Sequence, residues 1–113
     1  MYYELPKREK KIARAAIDKG LNTAFKLALE EAESIIKEWR EDKLDNRGAY
    51  HKLFKAIDRH DGRIARRYDH VTGSKYLATV AAILADGHIT HEDINEFSEE
   101  TKEVLRKWAN VIG

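Results

Sequence analysis

No cysteine occurs anywhere in this sequence. Disulfides, thiolate metal ligands and a cysteine nucleophile are thereby excluded together. Small secreted domains often need such staples, so the expected compartment is the cytosol. Proline occurs once and glycine six times in 113 residues, which leaves little material for β-turns. No apolar run approaches the roughly 20 residues that span a bilayer. The opening stretch, MYYELPKREKK, holds no apolar segment of signal-peptide length, so no secretion leader is expected.

What is present is charge on a helix-forming background. Charged residues make up 36% of the chain and apolar ones 42%, against roughly a quarter charged in an ordinary domain. The charged set is rich in Lys, Arg and Glu, which favour helix. The expected fold is all-α, a soluble single-domain helical bundle over residues 1–113 with four main helices plus one or two short ones.

The net charge of +1 conceals blocks of alternating sign. Residues 1–20 carry six basic and three acidic side chains, residues 21–46 four and seven, residues 47–75 eight and three, and residues 76–113 three and seven. Near-neutrality of the whole therefore says little about any one surface.

Pro6 fits a first helical turn, and Lys7 to Lys19 reads as a short basic helix ending near Gly20. Asn22 is placed to cap a second helix, whose stripe is Phe25, Ala28, Leu29, Ala32, Ile35, Ile36 and Trp39. Residues 41–48, EDKLDNRG, read as a loop. A third helix is expected over about 49–69, with a weak point at Asp61-Gly62. Glycine costs about 1 kcal/mol in a helix interior. Asp61 falls on the apolar face, so it is expected to cap a second half-helix after a break, to pair with a buried Lys, Arg or Tyr across the bundle, or to act as a catalytic carboxylate beside His60. Thr72 or Ser74 can cap a fourth helix that is apolar nearly all round, the candidate for most buried element, ending at Asp86-Gly87. Thr90-x-x-Asp93 resembles a capping box before a short helix to Phe97, and Ser98 caps the last helix with Val104, Leu105, Trp108 and Ile112.

The third helix carries two opposed stripes. Tyr50, Leu53, Phe54, Ile57, Ile64 and Tyr68 form the apolar one, expected to pack. Lys52, Lys55, Arg59, Arg63 and Arg66 form a basic one within about 80° of arc, uninterrupted by acidic residues of the same helix. Cations on one helix face can neutralise phosphates, so the leading expectation is an accessory or regulatory protein that contacts DNA or RNA backbone. Lys10, Lys11 and Arg14 of the first helix would extend the surface, and Tyr2, Tyr3 and Tyr76 could stack on bases. The alternative is a protein–protein module, an adaptor, inhibitor or homo-oligomer, whose charge blocks fit an acidic partner or a second copy. Neither reading involves catalysis, a membrane or a cofactor.

Other patterns carry less. Segments 75–85 and 90–97 have helix-turn-helix spacing, but the second presents Glu92, Asp93 and Glu96 to a groove that calls for donors. DGHITHED, residues 86–93, is similar to the middle of an EF-hand loop. That alignment puts Ala82 and Leu84 where oxygen ligands belong, which excludes calcium. His88 and His91 fall short of the ligand count of a zinc site, so no metal is expected. Arg63 and His70 are separated by IARRYD, which resembles the Arg-x4–6-His motif of HEPN ribonucleases, small helical domains that act without metal. The resemblance covers two residues, and Ile64 stands where a polar residue commonly follows the arginine. It implies a weak metal-independent ribonuclease in which Arg63 and His70 handle phosphate charge and proton transfer.

Overall fold

The computed structural model describes residues 3–112, which are all-α, with no strand among them. Four helices, α1 (Lys10–Arg40), α2 (Asn46–Tyr68), α3 (Tyr76–Ala85) and α4 (Glu99–Ile112), are joined by short connections. Three 3-10 turns, Lys7–Glu9, Gly73–Lys75 and His91–Ile94, complete the order. Internal contacts divide the chain into two compact units: residues 1–23 with 68–113, and residues 24–67.

The first unit is built on α3. Leu77 and every residue from Thr79 to Leu84 are buried, as an all-round apolar helix demands. Packed with it are Ala13 and Ala16 of α1, Ile89, Ile94 and Phe97, and Val104 and Leu105 of α4. Gly87, in the left-handed region at φ 78°, stops α3. Its N–H donates to the Leu84 carbonyl at 3.1 Å, and that of His88 donates to Ile83 at 3.0 Å. The expected capping box is present: the Thr90 N–H donates to Asp93 Oδ2 at 2.8 Å. Thr72 and Ser74 do not cap α3, because the turn Gly73–Lys75 intervenes and their hydroxyls bond each other at 3.2 Å. The segment after Gly87 is one 3-10 turn rather than a helix, too short to read a groove.

Two helices expected from the sequence are one. α1 runs through Gly20 without a break, and Asn22 lies exposed in its interior instead of capping a new helix. Gly20 is there for close approach. A Cβ at this position would stand 2.8 Å from both Ile83 Cδ1 and the Tyr68 hydroxyl.

Glu9, only 3% exposed, ties the start of the chain to α4. Its carboxylate accepts from the Ser98 N–H and, at 2.7 Å, from the Thr101 hydroxyl. Ser98 Oγ accepts the Thr101 N–H at 3.3 Å, so the predicted cap is joined by a distant second one. The Tyr3 hydroxyl is 2.8 Å from Thr101 Oγ1 in the same cluster.

The second unit is a helical hairpin formed by residues 24–40 of α1 and 46–67 of α2. Asp42, at φ 61°, closes α1 with Lys43 N–H donating to the Glu38 carbonyl at 2.9 Å. α2 begins at Asn46, earlier than the sequence suggests, because Asp45 Oδ1 accepts the Gly48 N–H at 2.7 Å and caps it. α2 passes through Asp61-Gly62 unbroken. Asp61 is exposed, so it neither caps a half-helix nor sits buried beside a partner.

Candidate functional site

The buried residues of the hairpin are Ala24, Ala28, Ile35 and Ala56. Three alanines in four let the two helices lie close, since side-chain bulk sets interaxial distance. The contact runs along the border between α2's two stripes, not along the middle of its apolar one. Tyr50, Phe54 and Ile57, expected to pack, are therefore exposed, as are Phe25, Leu29, Ile36 and Trp39 on α1; the seven range from 38% to 70% exposed. By helical projection both sets lie on the same side of the hairpin. A groove of about 250 Å³, lined on one side by Ile35, Ile36 and Trp39 and on the other by Ala49, Tyr50 and Leu53, joins them near the connection. Trp39 is held in place there. Its Nε1–H donates to Asn46 Oδ1 at 2.8 Å, and the Arg40 guanidinium lies 5.3 Å from its ring centroid.

The opposite side is cross-linked by ion pairs and carries one exposed large apolar side chain among the described residues, Leu27. Lys52 Nζ donates to Glu38 Oε1 and Oε2 at 3.1 and 3.2 Å. Arg59 donates to Glu31 Oε2, and His60 Nε2 is 2.9 Å from Glu31 Oε1. The Arg59 guanidinium, and after it His60, holds the Glu31 carboxyl below its ordinary pKa. The basic stripe is thus not an open array of five cations. Two of its members are neutralised by glutamates of the antiparallel helix. Lys55, Arg63 and Arg66 form no ion pair among the described residues, and Arg63 and Arg66 are exposed. The signal for this pairing is in the sequence: Glu31 and Glu38 are seven residues apart, as are Lys52 and Arg59. Equal spacing on antiparallel helices brings both pairs into register at once.

Lys10, Lys11 and Arg14 lie on the first turns of α1, in the other unit from the α2 cations. Lys11 and Arg14 are exposed and Lys10 half-buried. Of the tyrosines considered for base stacking, Tyr3 and Tyr76 pack against the first unit's core, while Tyr2 lies outside the described residues. Arg63 is in the hairpin, whereas His70 belongs to the other unit and occupies a turn at φ 60°. Asp93 is engaged by Lys19 and Thr90, and among the described residues no three His, Asp or Glu side chains converge on a metal position. No described helix is long and apolar enough to cross a membrane.

Comparison with protein-family models, curated proteins and solved structures finds no match to this chain. The surface chemistry of the hairpin is what remains to suggest a role.

Proposed function

We propose that this chain works by binding rather than catalysis, as a small helical protein–protein interaction module whose contact surface is the apolar side of the hairpin. The observation that carries the reading is the segregation of that hairpin. Seven large apolar side chains stand on one side, and ion pairs lock the other. Contiguous exposed apolar surface of this kind marks contact sites, and aromatic residues supply much of the contact energy at interfaces. A photoreactive phenylalanine at position 54 should cross-link to protein in cells, whereas the same group at position 55 should not. Absence of protein adducts from position 54 would remove this reading.

Contact with DNA or RNA backbone is a second reading, favoured by Lys55, Arg63 and Arg66, which are exposed on α2 and in no ion pair among the described residues. Its mark is salt dependence: with three phosphate contacts, affinity for a labelled duplex or single strand falls by roughly 10¹ to 10² between 50 and 200 mM salt. Arg63→Glu with Arg66→Glu should abolish binding while helicity is retained. No binding at 50 mM salt would dismiss it. The cytosol remains the proposed place of action under either reading.

A further inference from the structure

We propose that the occupant of the apolar face is a second copy of this chain, two hairpins closing face to face into a four-helix bundle. This rests on the reading of that face as a protein-contact surface and names its partner.

Three observations carry it. The first is area. Seven large side chains exposed to this degree present on the order of 800 Å², which is what one partner contributes to a stable interface of standard size. The groove beside Trp39, at about 250 Å³, is smaller than the usual small-molecule site and takes one bulky side chain.

The second is architecture. A single layer of two helices can bury its apolar stripe only against another layer. A second hairpin supplies helices of the same length with the same stripe, and a two-fold contact uses one patch on both copies.

The third is charge. The face carries one acid among its apolar positions, Asp61, exposed and in no ion pair among the described residues. Covering it leaves a carboxylate that needs a cation. A two-fold axis running along the helices sets α1 of one copy over α2 of the other and keeps every residue at its height. The register that pairs Glu31 with Arg59 and Glu38 with Lys52 puts Lys26 within about one helical turn of Asp61. Lys26 is also exposed and in no ion pair among the described residues. Lys26 of the other copy is therefore the cation that Asp61 meets. The placement of an acid on an apolar stripe then serves to fix the pairing.

Sedimentation of the purified chain from 1 to 200 µM, about the range of a moderate dimer, tests this. The expected species has twice the 13.1 kDa of one chain. Phe54→Glu and Ile36→Glu should each leave a monomer with unchanged helical circular dichroism. Asp61→Lys should weaken association about tenfold, and adding Lys26→Asp should restore it. A single 13.1 kDa species throughout, or a dimer indifferent to Phe54→Glu and Ile36→Glu, overturns the proposal. Because the chain has no cysteine, Leu29→Cys then reports on the underlying reading. A monomer whose thiol reacts at the rate of a free thiol loses the second copy but keeps the open contact face. A monomer whose thiol is protected loses both.

Discussion

The unit built on α3 and the hairpin are written in the same sequence language, amphipathic helices with apolar stripes, and only one of them has a conventional core. In the first, Val80, Ala81, Ile83 and Leu105 have no exposed surface, and Ile94 has almost none. In the second, burial is confined to three alanines and one isoleucine while the aromatic residues face outward. The difference is the covering layer. α3 is wrapped by α4, by the start of α1 and by the 89–97 segment, whereas two helices side by side cover only the strip between them. A stripe predicts that burial is needed; it does not provide the partner.

The largest test of that contrast is a pair of truncations followed by urea unfolding. Leu105→Ala should cost about 2–5 kcal/mol, as cavities in a tight core do. Phe54→Ala, measured at protein concentrations too low for association, should stay within about 0.5 kcal/mol, as exposed positions do. Equal losses would mean that the hairpin face is covered within the chain.

Glu9 comes next. Glu9→Ala leaves the Ser98 N–H and the Thr101 hydroxyl without their acceptor in a buried setting, at a cost of about 1–3 kcal/mol by chemical denaturation. Glu9→Gln, which keeps one carbonyl oxygen, should lose less. If both were neutral, α4 would not depend on the start of the chain.

Gly20→Ala sharpens the contrast along α1 itself. An exposed helical glycine would gain about 1 kcal/mol from the change. Here overpacking against Ile83 and Tyr68 opposes that by about 1–3 kcal/mol. The expected net loss is on the order of 1 kcal/mol in thermal melts. Gly62→Ala in the hairpin, whose Cβ would meet nothing closer than Arg66 Nη1 at 3.6 Å, should stabilise.

The smallest effect is a pH dependence. The Lys19 ammonium, and after it the Thr90 N–H, holds the Asp93 carboxyl below its ordinary value of 3.8. A carboxyl with a depressed folded-state pKa stabilises above its unfolded value, and that contribution is lost as pH falls through the folded one. Asp93→Asn should therefore be less stable than the parent at neutral pH, with the gap closing as pH falls below the ordinary value of 3.8. The corresponding Glu31→Gln gap in the hairpin should be narrower and shrink with salt, because the Glu31 carboxylate is more exposed than that of Asp93.

Much of this was legible one residue at a time. The helical class, the all-apolar α3, its stop at Gly87, the Thr90–Asp93 box and the Ser98 cap follow from bonds within a helical turn and from local composition. Gly20 misled because a glycine reads the same whether it ends a helix or admits a neighbour. Asp61-Gly62 misled because about 1 kcal/mol of local propensity does not break a helix held along its length by a partner. The eight cations proposed for phosphate contact were visible as a pattern, but their environment was not. Glu31 and Glu38 cancel Lys52 and Arg59 only once α1 and α2 lie antiparallel in one register. Glu9's bond to Ser98 spans 89 positions and leaves no local trace.

By itself, then, the sequence determined where helices form, where most of them end and which faces are apolar or charged, because backbone hydrogen bonds and caps act between near neighbours. Tertiary structure alone decided which apolar face is covered, which cations are neutralised and which glycine is indispensable. Burial and ion pairing need a second surface, and chain neighbours cannot specify where that surface will be.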